Sequence, residues 1–216
     1  MNKRRRYMTA ACTINAILIF FLATELVAQD RKMSPVAAGG FKTVTIGSQQ
    51  WMAENLNVGV FRNGGPIPEA RTKAQWEAAY KNESPAWCYY DNDASNGKKY
   101  GRLYNWYAVN DPRGLAPVGW HVPTDKEWQT LVTSLGGLGT AFAKMKATDG
   151  FAAKPGGHRW FEDASFLHLD TVGFWWSATK RDKWNAWYHA MHFGYSEVAR
   201  DAGGMNTGFS VRCVKD

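Results

Sequence analysis

The sequence predicts an α+β domain in which two short helices pack on antiparallel strands joined by long loops. Three observations carry this. Turn residues follow a short alternating run near residue 41, the signal of an early hairpin. A capped, one-sided apolar stripe begins at residue 124. After Gly150 the chain breaks into short alternating runs separated by turn-rich pieces, the mark of an antiparallel meander. The 21 Gly and 11 Trp fit that plan, since tight turns need the first and short strands need bulky side chains packed between them.

Taken in order, residues 41–46 alternate with Val44 and Ile46 on one face, Gly47-Ser48 supplies a two-residue turn, and residues 49–56 return. Arg62-Asn63-Gly64-Gly65-Pro66 is a loop. Thr72 and Gln75 form a capping box, and Trp76, Ala79 and Tyr80 recur at helical spacing, so a helix is expected over residues 73–81. Residues 87–90 read as a strand, residues 91–99 as a polar loop, and residues 100–109 as an ambiguous aromatic stretch in which strand is preferred. Thr124 and Glu127 make a full T-x-x-E box. Trp128, Leu131, Val132 and Leu135 fall at i, i+3, i+4 and i+7, and Gly136-Gly137 ends that helix. Strands are expected over residues 174–179, 185–193, 197–201 and 208–214. In the second of these, Trp187, His189, Met191 and Phe193 face one way, and Tyr188, Ala190 and His192 the other.

The N-terminus has the order of a secretory signal. Lys3, Arg4, Arg5 and Arg6 precede the apolar run Ala16-Ile17-Leu18-Ile19-Phe20-Phe21-Leu22-Ala23, and Val27-Ala28-Gln29 precede Asp30. The uninterrupted run is shorter than the ~20 apolar residues that span a bilayer, so cleavage after Ala28 or Gln29 is expected and an uncleaved anchor is the alternative. The division is therefore a signal peptide over residues 1–29, a short tail over 30–40 and one domain over 41–216. The product is expected to be exported, whether periplasmic, on the cell surface or secreted, with the membrane touched only through the uncleaved signal. Four of the 26 Lys and Arg and one of the 19 acids lie in the signal. The remaining 187 residues then carry a net charge of +4 with no basic run, which excludes nucleic acid as the expected partner. Cys12 precedes the apolar core, so it does not mark a lipoprotein signal and leaves with the leader. Cys88 and Cys213 remain. An oxidising compartment permits a bridge between them, and two buried thiols are the alternative.

Five stretches resemble one family, the Fibrobacter succinogenes major paralogous domain. They are Gln50-Trp51-Met52-Ala53-Glu54-Asn55-Leu56-Asn57, Tyr104-Asn105-Trp106-Tyr107-Ala108-Val109, Gly119-Trp120-His121-Val122-Pro123-Thr124-Asp125 with Glu127-Trp128, Phe174-Trp175-Trp176-Ser177-Ala178-Thr179, and Gly208-Phe209-Ser210-Val211-Arg212-Cys213-Val214. They stand in the family's order and cover nearly all of residues 41–216. The resemblance implies export from Fibrobacter- or Bacteroides-type bacteria and a C-type-lectin-like fold, the one shared with formylglycine-generating enzymes. It does not carry activity with it. Those enzymes need a reactive cysteine pair near the C-terminus, and this chain has only Cys213 there.

No motif points to a cofactor, a metal or a catalytic set. His189 and His192, three apart on a strand, face opposite ways, and His121, His158 and His168 have no ligand spacing. Asp91-x-Asp93-x-Ser95-x-Gly97 alternates hard oxygens as calcium requires, but its glycine is one place late and Arg102 stands where a bidentate Glu belongs. An Asx-rich turn is the better reading. Ser177 lacks the flanking glycines of a nucleophile elbow, and Glu162-Asp163 reads as an exposed loop. The surplus is aromatic. Flat rings stack on the C–H faces of sugars, and Trp160, Trp184 and Tyr195 lie near expected turns, so these three are the candidate ligand-binding residues. The expected function is a non-catalytic exported module that binds a glycan or an envelope protein. An enzyme of unassigned chemistry on the same fold and an envelope scaffold without a small ligand are the alternatives.

Overall fold

The computed structural model describes residues 40–216; the expected signal peptide, Cys12 and residues 30–39 of the tail lie outside them. The hairpin forms as expected, with β1 (Thr43–Ile46) and β2 (Gln49–Met52) paired antiparallel from Thr43↔Met52 to Ile46↔Gln49. Helix α1 (Lys73–Lys81) starts on the Thr72–Gln75 capping box and buries Trp76 and Ala79. After β3 (Trp87–Cys88), a 3-10 turn (Tyr90–Asn92) and α2 (Ala94–Tyr100) occupy the segment expected to be a loop. The aromatic stretch that follows is split between β4 (Leu103–Tyr104) and α3 (Trp106–Val109), where a strand was preferred. Asn105 causes the switch. Its Oδ1 accepts the N–H of Ala108 at 3.0 Å and that of Ala86 at 2.9 Å, which caps α3 and ties it to the chain before β3.

Strand β5 (Trp120–His121) leads into α4 (Asp125–Ser134), whose Thr124–Glu127 box and buried Trp128, Leu131 and Val132 match the expectation. Gly136, at φ +97°, closes α4, and α5 (Leu138–Lys146) begins at once, a helix not expected. Two helices were expected, and five α-helices are present among the described residues. The meander is β6 (Gly156–Arg159), β7 (Phe166–Leu169), β8 (Val172–Lys180), β9 (Asn185–His192) and β10 (Glu197–Gly204). It forms a sheet in the order β10-β9-β8-β6-β7, antiparallel except where β6 runs parallel to β8. Only β11 (Val214–Lys215) of the expected last strand is regular, and it inserts between β2 and β5, which joins it to the first hairpin of the described residues.

The five-stranded sheet is covered on both faces, which is why β8 reads as a continuous apolar run. Trp175 and Met191 point to the side of α4 and α5, among Trp51, Trp128 and Phe151. Phe174, Trp176, Ala186 and Ala190 point to the other side, among Trp106, Phe209 and Val211. A third cluster surrounds α1 and holds Trp76, Cys88 and Tyr90. Two buried arginines join these parts. Arg212 donates to Asn55 Oδ1 at 2.7 and 3.1 Å, to the carbonyl of Met52 at 3.3 Å and to that of Phe151, and its guanidinium lies 4.2 Å from the Phe151 ring. Arg159 donates to the carbonyls of Ala70 at 2.6 Å and Ala164 at 3.0 Å.

Cys88 and Cys213 are both buried and unpaired, so the bridge expected from their compartment does not form. Cys88 is held against Leu103 in the cluster around α1, whereas Cys213, its carbonyl bonded to the Met52 N–H, belongs to the main core. Burial pushes both thiols up to about 12.

Candidate functional site

The residues expected to bind ligand do not come together. Trp184 is 56 % exposed in the β8–β9 turn, where its N–H bonds Asp182 Oδ1 and Lys183 Nζ sits 4.4 Å over its ring. Tyr195, 83 % exposed in the β9–β10 turn, borders a cavity of about 730 Å³ with Phe193, Val172 and His192. Trp160, half-buried, borders a different cavity of about 500 Å³ between the meander and the chain that follows β10.

This second cavity, the cleft, is built by backbone pairing. Arg159 and Gly208 exchange backbone hydrogen bonds at 3.0 and 2.9 Å, an isolated antiparallel bridge that sets Trp160 across from Thr207 and His158 across from Phe209, bringing opposite ends of the chain's last third to one cleft. Gly157, at φ +62°, allows the β6 backbone to come under β7: a Cβ there would stand 2.6 Å from the Leu167 carbonyl. The floor is aromatic. Phe209 stacks on Phe174 with centroids 5.1 Å apart and planes 7° apart, and Tyr188 leans on Phe209 at 4.8 Å. Gly203 lies against both Tyr188 and Phe209, at distances where any side chain would crowd the rings. His158 fills the inner end, edge-on to Phe174 at 4.6 Å and to Trp160 at 5.6 Å, and stacked on His168 at 5.3 Å.

The polar groups of the cleft are its informative part. His158 is 3 % exposed and Thr207 1 %, yet both ring nitrogens of the one and the hydroxyl of the other have no partner in the protein. Leaving such atoms unpaired costs about 1–3 kcal/mol apiece. Burial, aided by the neighbouring His168, pulls the His158 imidazole down to about 4, so at neutral pH it offers one donor and one acceptor. Asp201 stands at the rim, its Oδ1 accepting the Ala202 N–H at 2.7 Å, and no Lys or Arg lines the cleft.

Other candidate groups are committed to the frame. Asp125 accepts from Arg200 through both oxygens at 2.8 Å, from His189 at 3.0 Å and from Gln129 at 2.6 Å, which locks the start of α4 onto β9 and β10. His189 is stacked on Trp128 at 5.1 Å, and burial pulls it down to about 4 against the opposing pull of Asp125. His189 is thus a satisfied core residue. Asp93 spends both carboxylate oxygens on Ser95, capping α2, and the Gly97 carbonyl accepts from Asn57, so the alternating oxygens serve a helix start. Ser177 is fully buried and its Oγ accepts the Thr179 N–H. Among the described residues no cluster of three His, Cys, Asp or Glu could hold a metal ion, and no helix is long and apolar enough to cross a membrane.

Sequence reasoning missed His158, His168, Tyr188 and Thr207. A signal for His158 and Thr207 does not exist locally, because their proximity rests on the bridge between Arg159 and Gly208. Fold and site together define an α+β domain with a closed, tryptophan-rich frame and an aromatic cleft holding unpaired polar groups. A model of the Fibrobacter succinogenes major domain matches residues 44–215, and the chain belongs to that family. No curated protein and no solved structure matches it.

Proposed function

We propose that this is an exported, non-catalytic binding module of the cell envelope and that its ligand is a glycan held in the aromatic cleft. The observation that carries the reading is that His158 and Thr207, buried and without a partner in the protein, line the cleft together with the rings of Trp160, Tyr188 and Phe209. A sugar presents C–H faces for the rings and hydroxyls for the polar atoms. A protein partner would favour a flatter surface, which makes it the second reading. The signal-like leader supports export, and the pairing of β11 with the first hairpin and the doubly covered sheet suit a C-type-lectin-like fold.

The test is a glycan array with the folded domain, followed by calorimetry of each hit against Trp160→Ala. A hit whose affinity falls about tenfold, equivalent to 1.4 kcal/mol, supports the reading. A blank array with a positive pull-down of envelope proteins replaces the glycan by a protein. Retention of the leader at its full mass in the membrane fraction would overturn the exported soluble form.

A further inference from the structure

We propose that the cleft and the neighbouring 730 Å³ cavity are two subsites of one groove, and that the groove takes a linear, uncharged oligosaccharide spanning both. This rests on the glycan reading of the cleft and extends it to ligand length and charge.

His168 is the wall the two cavities share. Its inner face stacks on His158 at 5.3 Å, and Phe174 lies beneath the boundary, 6.2 Å from the His168 ring and 6.5 Å from that of His192. The wall is fixed in place. The backbone is left-handed at His168 (φ +67°) and at Asp170 (φ +59°), and Thr171 holds the turn by donating both its N–H and its hydroxyl to the His168 carbonyl. Each cavity is within the size of a small-molecule site, roughly 300–1,000 Å³. Each also has a ring at its outer end, Trp160 in one and Tyr195 in the other. A ligand of one sugar ring reaches one platform. A chain passing His168 reaches both.

The charge of the groove fixes the class further. Neither cavity is lined by Lys or Arg, so uronic, sialic or phosphorylated chains meet no counter-charge. Asp170 already shares its charge with Lys99 Nζ and bonds the Tyr100 hydroxyl, so a cationic sugar gains little in that subsite. The deepest polar groups, the neutral His158 ring and the Thr207 hydroxyl, are matched to hydroxyls.

The experiment is calorimetry with chains of one to six residues in three neutral series: β-1,4-linked glucose, β-1,4-linked N-acetylglucosamine and α-1,4-linked glucose. In the series that binds, affinity is expected to rise at least tenfold between the single sugar and a chain of three or four, then to level off. Tyr195→Ala, on an exposed turn, is expected to cancel that rise, whereas Trp160→Ala weakens every length. Affinity independent of length, or a rise that survives in Tyr195→Ala, overturns the two-subsite groove and leaves the cleft reading standing. Tighter binding of uronic-acid chains than of neutral ones overturns the charge assignment. If none of the three series binds and the array is also blank, the glycan reading itself fails and the groove with it.

Discussion

Acid should destabilise this protein well before its carboxylates protonate, because two core histidines refuse a proton. His158 and His189 are each 3 % exposed, and burial holds both near 4 when an unfolded imidazole titrates at 6.5. The unfolded chain therefore binds more protons between these values. The stabilisation is complete above pH 6.5 and is lost as pH falls toward 4. Between pH 7.5 and 5 each ring should take about 2 kcal/mol from the folding free energy, or about 4 together. For a domain of this size that lowers Tm by roughly 8–16 °C. His121 works in the opposite sense. Its bonds to Glu127 and Asp216 outweigh its burial and raise its pKa, so its contribution is whole below 6.5 and fades as pH rises through the folded value. It is therefore flat between pH 6 and 5. Asp125 and Glu127, held low by their hydrogen bonds once burial is offset, lose their contributions only below the ordinary carboxylate range. Urea unfolding followed by tryptophan fluorescence at pH 7.5, 6 and 5 measures the slope. His158→Phe keeps a ring against Phe174 and should lose about half the pH dependence. Stability constant within 1 kcal/mol over that range, or an unchanged slope in His158→Phe, would refute the buried-neutral assignment.

Three further outcomes follow from the frame. Thr124→Ala removes the cap of α4 and should cost about 1 kcal/mol in urea titration, with Glu127 still bonded to His121. Dithiothreitol should leave Tm unchanged, and Ellman's reagent should find Cys88 and Cys213 only in denaturant, since both thiols are buried and pushed to about 12; a drop in Tm on reduction would reveal a bridge. Asn55→Ala strips Arg212 and Trp175 of a shared acceptor inside the core and should destabilise by roughly 2–3 kcal/mol, more than a surface asparagine does.

The parts of the fold legible in the sequence were those specified by neighbours. Thr72 with Gln75 and Thr124 with Glu127 placed two helix starts, because a capping box is complete within four residues. Helix α5 has no side-chain cap and carried only apolar spacing in Leu138, Ala141, Phe142 and Met145, hidden by the Gly136-Gly137 stop that serves as the end of one helix and the start of the next. Helix α2 is different. Its Ser-Asn-Gly-Lys-Lys run has poor propensity, and it is helical because Asp93 caps it, Asn57 bonds the Gly97 carbonyl and the Tyr89 ring lies where only a glycine fits. Of the site, the turn positions of Trp160 and Tyr195 could be read, but the bridge between Arg159 and Gly208 that brings His158 and Thr207 to one cleft is a product of topology.

That division separates frame from cleft. Trp51, Trp106, Trp128 and Trp176 all lie in the stretches that carry the family resemblance and all are buried, three of them donating their indole N–H to a backbone carbonyl: Trp106 to Ser177, Trp128 to Trp176 and Trp176 to Tyr104. Phe174 and Phe209, from the same stretches, supply the floor of the cleft. His158, Trp160, His168, Tyr188, Tyr195 and Thr207 lie outside them. Truncating a frame tryptophan to Ala should cost about 3–5 kcal/mol and erase binding by unfolding the domain, whatever the ligand. Only changes at Trp160 and Tyr195, which are less buried and bear little of the core, can separate loss of a binding surface from loss of the fold that holds it.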